Sequence, residues 1–223
     1  MKAYQIKIKL IDSEPLIWRR VIVPAEITFK RLHDTIQFAM GWWDSHLYEF
    51  EFPEEKLRIT CDDESFDEWK YYSAKYKTVK PTKKEDPLGI IGRMLESKLK
   101  KSQSTKIDKY LAKYTTFEYV YDFGDYWKHS IQLVKFIEPK RTFYPKCIKG
   151  EKNSPPEDCG GVRGFQTFKE IMKDKKHPEH KEMIAWNDGP FDEDFFSLLF
   201  INDDFKHFDT MVKASLEFDE EEE

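Results

Sequence analysis

Period-two alternation at both ends of the first 140 residues constrains this chain more than any other feature. Tyr4, Ile6, Ile8 and Leu10 alternate with polar residues, the pattern of a strand with one buried face. After the turn-like Asp12-Ser13-Glu14-Pro15, residues 16–23 (LIWRRVIV) read as a second strand closed by Pro24, which predicts a hairpin. Strand pattern returns at Phe117 and runs to Ile137. Between these segments, Thr28 is placed to cap a helix reaching about Met40, with Leu32, Ile36 and Ala39 or Met40 on one stripe and Gly41 as its stop. Residues 47–52 (LYEFEF) alternate again.

The strand–strand–helix–strand opening predicts an α+β fold. It implies a twisted, mostly antiparallel sheet with a helix on one face and C-terminal helices over an end; a β-grasp-like or α/β-roll arrangement fits the same order. Helical patterns are expected near residues 165–173, 179–186 and 205–216, and residues 140–164 read as loop. The aliphatic-poor stretch at 62–106, with Pro81 and Pro87, reads as a mobile charged insertion carrying one short helix. The chain is thus expected to be one domain over 1–218, followed by a disordered acidic tail at 219–223.

Aromatic residues make up 16% of the chain, enough to build a core although apolar content is only 39%. The net charge of −5 gives no general field to attract phosphate backbones, so nucleic acid binding requires a local basic patch. The lysines at 98, 100, 101 and 106 form a basic stretch, read first as a solvated helix face. No apolar run reaches the length of a membrane span, and three cysteines without a C-x-x-C pair suit a reducing compartment. A cytoplasmic protein without membrane contact is expected.

The segment YVYDFGDYWKHSI (119–131) gathers Asp122, Asp125 and His129 around Gly124. Burial selects a register pairing Phe123 with Trp127, Tyr121 with His129, Tyr119 with Ile131 and Phe117 with Leu133, which makes one face continuously apolar. In that register Asp122 is a surface partner of Lys128, Asp125 caps the turn, and His129 faces the aromatics as a buried, hydrogen-bonded histidine. Trp42, Trp43, Tyr121, Trp127 and His129 are the expected lining of an aromatic cleft for a protein or small-molecule ligand.

Several motifs resemble the plasmid pRiA4b ORF-3-like family, whose members are often labelled TnpR resolvases. They are IWRR (17–20), LHDTIQFAMGW (32–42), HLYEF (46–50), YDFGDYWKH (121–129), YPKC (144–147), PPEDCGG (155–161) and GPFD (189–192). The resemblance implies a compact α+β domain associated with plasmids and mobile elements, with no established activity. Resolvase catalysis does not fit the residues. Ser13 falls in a predicted turn, and Arg19 and Arg20 are adjacent on a strand and point to opposite faces.

A binding or interaction module with the aromatic cleft is the first functional expectation, because no catalytic motif is complete. A metal-assisted hydrolase or nuclease-like enzyme drawing on His129, Asp125, Asp158, His46 and Asp122 is the second, with a divalent metal as its cofactor. His46 and Glu49, with Asp44 and His33, are candidates for a polar pocket. Cys147, Cys159, His177 and His180 are the right types for a zinc set, though their spacing is unlike a zinc finger. Cys159 with His129 as its base is a nucleophile pair on chemistry alone. A DNA-associated regulator using the lysine-rich insertion is the third. Gly160, Gly161 and Gly164 read as tight-turn glycines ahead of a helix rather than as a phosphate cradle.

Overall fold

The computed structural model describes residues 2–138 and 145–207. Eight strands form one sheet: β1 (Ala3–Leu10), β2 (Trp18–Pro24), β3 (Tyr48–Phe52), β4 (Leu57–Thr60), β5 (Lys98–Lys101), β6 (Thr116–Tyr121), β7 (Trp127–Ile137) and β8 (Lys146–Glu151). Their order is β5-β4-β3-β6-β7-β1-β2-β8, antiparallel throughout except for the β4–β5 pair. This is the α+β architecture that the alternation predicts. The first hairpin turns through Ser13, whose hydroxyl donates to Leu10 O and accepts from Ile17 N; it is a turn residue.

Helix α1 (Phe29–Met40) starts at Thr28, whose hydroxyl accepts the Arg31 N–H, and stops at Gly41 in the left-handed region (φ 74). Its buried Phe29, Leu32, Ile36 and Ala39 lie on the sheet's apolar face, where Phe29 meets the rings of Phe50, Phe117 and Tyr110. That face carries Tyr4, Ile6, Ile8 and Leu10 from β1, with Phe117, Tyr119 and Tyr121 from β6. The paired residues on the other face are mostly polar.

Three expectations are corrected. The region 62–106 holds more than the one short helix expected: α2 (Asp63–Lys75), α3 (Ile90–Met94) and the edge strand β5, anchored by buried Leu99 and by Trp69 Nε1 donating to Ser97 O. The loop expected at 140–164 contains β8, because Cys147 and Gly150 both turn to the core and Gly150 leaves room for the Phe196 ring. Helix α5 (Gly161–Lys173) begins four residues earlier than periodicity suggests. A short α4 (Asp108–Leu111) precedes β6, and α6 (His180–Trp186) follows α5. Residues 198–207 are helical; the rest of the helix expected to 216, and the tail at 219–223, lie outside the described residues.

The β6–β7 register is also corrected. Tyr121 pairs with Trp127, Tyr119 with His129 and Phe117 with Ile131. A two-residue slip keeps every side chain on its expected face, so burial alone cannot distinguish the two registers. The turn decides. Asp122 leaves the ladder with φ 58, its carboxylate accepts the Gly124 N–H at 2.8 Å, and its carbonyl accepts Tyr126 N–H at 2.6 Å, closing a five-residue loop. Asp122 is therefore buried, not a surface partner of Lys128, which pairs with Glu118 at 2.8 Å.

Candidate metal centre

Three loops meet at one end of the sheet: residues 41–47 after α1, the β6–β7 turn at 122–126, and residues 154–160 before α5. Aromatic packing brings them together. Trp42 stacks on Tyr121 with centroids 5.2 Å apart, and its indole N–H donates to Pro155 O at 2.8 Å. The Tyr121 hydroxyl accepts the Ser45 N–H at 3.0 Å and donates to Glu157, whose carboxylate also accepts the Trp43 N–H. Burial, reinforced by Glu157, raises the Tyr121 pKa, so the phenol keeps its proton and bridges two loops.

The third contact depends on glycine. The Asp125 carboxylate accepts the Gly160 N–H at 3.0 Å, filling the start of α5 with the chain's own anion. Gly161 (φ 67) lies directly against the Asp125 carbonyl, where any Cβ would collide. The glycines thus serve a close approach of backbones, and Asp125 ties its turn to α5 instead of capping it.

This docking assembles His46, Asp122 and Asp158. His46 Nε2 lies 3.0 Å from Asp158 Oδ1 and 3.8 Å from Asp122 Oδ2, and it has no hydrogen-bond partner although the atom is buried. Donors bound to one ion at about 2.1 Å, at right or tetrahedral angles, stand roughly 3.0–3.4 Å apart. The two separations from His46 are therefore within a few tenths of an ångström of those in a ligand set, and all three donors lie within 4.8 Å of one another. Asp122 and Asp158 both hold left-handed backbone (φ 58 and 57), which aspartate tolerates better than most residues. Asp158 is 69% exposed, so the centre opens to solvent on that side.

A second group with the same donor types lies on and just after α1: His33, Asp34 and Asp44. Here the chain supplies its own cation. Lys30 Nζ donates to Asp34 at 2.7 Å and to Asp44 at 2.8 Å. His33 is fully buried and stacks on Tyr48 with centroids 3.5 Å apart. Burial lowers its pKa against the opposing pull of Asp44, leaving it neutral. It donates through Nε2 to Asp44 (2.5 Å) and accepts the Tyr119 O–H at Nδ1 (2.7 Å). Gln37 closes the ring, donating to Tyr119 and accepting the Asp44 N–H. Desolvation works to raise the Asp44 pKa, but the bonds from His33 and Lys30 outweigh it and hold it at about 2.

His129 stands apart from both groups. It is fully buried against Trp42 and Tyr119, donates from Nδ1 to Trp127 O, and is pushed down to about 3 by desolvation. Cys159 is pushed up to about 12, first by burial and then by Asp125. A neutral, enclosed imidazole and a thiol held protonated do not make a nucleophile and base. The zinc set is not assembled either: among the described residues, ligand groups form only at His33/Asp34/Asp44 and His46/Asp122/Asp158. Cys147 is buried on β8, and His180 bonds Ile171 O.

The expected aromatic cleft is largely a packed cluster, since Trp42, Tyr121, Trp127 and His129 are all buried. Only Trp43, 85% exposed, projects outward; with Trp42, Pro156, Glu157 and Trp186 it borders a cleft of about 250 Å³. A larger cavity of about 450 Å³ runs between α5 and α6 from Asp158 and Cys159 past Phe168, Ile171 and Met183 to Trp186. Sequence reasoning missed Glu157, the cross-loop brace, and treated Asp122 as surface. The Asp-x-Gly spacing at 122–124 is the signal that points to an aspartate-capped turn there.

Fold and site together define an α+β protein with one broad sheet and a mixed histidine–carboxylate cluster where three loops meet. The chain belongs to the plasmid pRiA4b ORF-3-like family, whose profile matches residues 2–199. The uncharacterized protein y4hQ of Sinorhizobium fredii (strain NBRC 101917 / NGR234) is 34% identical over 182 residues, covering 82% of this chain and 79% of its own length. The crystal structure of MM3350, a protein of unknown function from Methanosarcina mazei Go1, is similar at 30% identity with a TM-score of 0.66. That match covers 88% of this chain and 95% of the other. No helix among the described residues is long and apolar enough to cross a membrane.

Proposed function

We propose that this chain is a divalent-metal protein in which His46 Nε2, Asp122 and Asp158 hold the ion, and that the centre supports metal-assisted hydrolysis of a small ligand seated in the α5–α6 cavity. One observation carries the reading. Of two groups with the same donor types, the His33 group is neutralised by Lys30, whereas the only ion-pair contacts of Asp122 and Asp158 among the described residues are with His46. Two carboxylates beside an imidazole nitrogen that makes no aligned hydrogen bond, with no lysine or arginine among their ion-pair contacts in the described residues, favour a cation. One histidine and two carboxylates form an N/O set suited to zinc, manganese or iron. Three protein ligands leave positions open for water, whose acidity a bound ion would increase. Asp158 belongs both to the trio and to the cavity wall, so a ligand in the cavity would lie beside those open positions.

Calorimetric titration of the chelator-treated chain with Zn²⁺ and Mn²⁺ tests the proposal. One ion per chain is expected for one of these metals, with affinity lowered at least tenfold in Asp158→Asn. Asp158 is the preferred position because Asp122 also builds its turn. Absence of stoichiometric binding, or equal binding by Asp158→Asn, would overturn the reading.

A further inference from the structure

The sheet face opposite α1 divides by charge. On β3 and β6 it carries Glu49, Glu51 and Glu118, with Arg58 on Glu49 and Lys128 on Glu118. Burial first, then the Glu49 and Glu118 charges, raise Glu51 to about 7. On β1, β2 and β8 the sign reverses. Pairing aligns Lys7 with Arg20 and Arg20 with Lys149 in one row across three strands. Lys9 lies one row toward Trp18, while Lys135 and Lys146 occupy the next row on the other side, opposite Gln5 and Ile22. Directly opposed residues share a face, and like charges so placed repel.

Among the described residues one carboxylate, Glu151, partly offsets the charges around Lys7. None of these six cations has a carboxylate within 4 Å, and Glu151, in the Lys9 row, is bonded to the Trp18 indole N–H at 3.1 Å. Trp18 lies beneath the patch and holds Lys7 at 4.2 Å and Arg20 and Lys149 at 5.7 Å from its ring centroid. Each such contact offsets on the order of 1 kcal/mol of the repulsion. The Arg20 Nε is buried with no acceptor. Lys135, Lys146 and Lys149 are exposed and the other three half-buried. Three aligned cations on a chain of net charge −5, with a donor left unmet, make a built site for anions.

We infer that the β1–β2–β8 face binds single-stranded nucleic acid through its phosphate backbone. Cations on neighbouring strands follow the sheet spacing of about 4.8 Å and extend over three rows, which suits a polyanion better than one phosphate. A sheet several strands wide does not enter a duplex major groove, which admits a helix or a two-stranded ribbon, whereas open sheets do take single strands. Ser130 and Gln132 on the same rows supply neutral hydrogen-bonding groups. The lysine-rich region 98–106 is a poorer candidate, because Lys101 pairs with Asp63 and Lys100 donates to Tyr110.

The test is fluorescence anisotropy with the full chain and a labelled fifteen-nucleotide oligo-dT at low salt. Binding is expected, with a log–log salt slope that falls by about 0.7 for each phosphate contact removed. Lys7→Gln/Arg20→Gln/Lys149→Gln should weaken it at least tenfold, and the exposed pair Lys146→Gln/Lys149→Gln at least threefold without changing the melting temperature. Lys98→Gln/Lys100→Gln/Lys101→Gln should leave affinity unchanged. The inference fails if oligo-dT does not bind, or if the patch variants bind as wild type does. It also fails if a duplex of equal length, or vesicles containing phosphatidylserine, bind more tightly. Because His46, Asp122 and Asp158 are absent from this face, the outcome is independent of the metal reading.

Discussion

The groups around His33 and His46 use the same donor types yet present opposite chemistry. The His33 group lies under α1, stacked on Tyr48, bonded to Tyr119 and bridged by Lys30. Both His33 nitrogens and both carboxylates meet partners from the chain, so the group is a structural network. The His46 group lies where loops from three parts of the chain converge, and its imidazole nitrogen, 3.0 Å from Asp158 Oδ1, makes no aligned hydrogen bond. A ligand site is thus defined less by residue types than by whether the fold has already satisfied them.

Acid gives the largest effect and separates the enclosed histidines from the open one. Histidine in the unfolded chain takes up its proton near pH 6.5, whereas His33 is held below that and His129 stays neutral to about 3. Below about pH 6.5 the unfolded chain therefore binds more protons, and stability falls as pH falls. For His129 alone the loss by pH 3 is on the order of 4 kcal/mol. Asp44, depressed to about 2, adds a loss of the same sign from the ordinary aspartate range down to that value. Urea midpoints at pH 7, 5.5 and 4.5 should show a shallower decline in His129→Leu than in wild type; equal slopes would remove His129 from the account.

Deleting the two cluster histidines is the next comparison. His33→Ala leaves the buried Tyr119 O–H without its acceptor, removes a stacked ring and leaves a cavity, together worth roughly 3 kcal/mol. His46→Gln, measured in chelator, should stay within about 0.5 kcal/mol of wild type. Similar losses at both positions would mean that the His46 group is as structural as the other.

The smallest effect is the most pointed. Lys30→Met should destabilise by about 1 kcal/mol, since the lysine is partly exposed, and should make the His33 group resemble the other by leaving Asp34 and Asp44 uncompensated. Added Mn²⁺ or Zn²⁺ is then expected to restore the melting temperature. If the variant gains no cation dependence, built-in charge is not what distinguishes the two groups.

Much of the fold was legible because periodicity and capping are local. The β1 alternation, the Thr28 cap and the Gly41 stop each depend on residues a few positions apart, and each predicts its element. Strand β8 was not legible, because a bulge breaks its alternation, leaving Cys147 and Gly150 three positions apart on the buried side, and its place depends on β2 and on room for Phe196. Of the site, His46 and Asp158 were visible as residue types, but their partner Asp122 was assigned to the surface. A two-residue register slip changes no face, so hydrophobic pattern could not reveal it.

By itself, then, the sequence determined an α+β chain with one apolar sheet face, and the family to which it belongs. The tertiary structure alone decided which histidine was enclosed and which left open, and how lysines from distant segments line up on one sheet face. Those outcomes depend on loop closure and strand register, which join residues more than a hundred positions apart, beyond the reach of any local pattern.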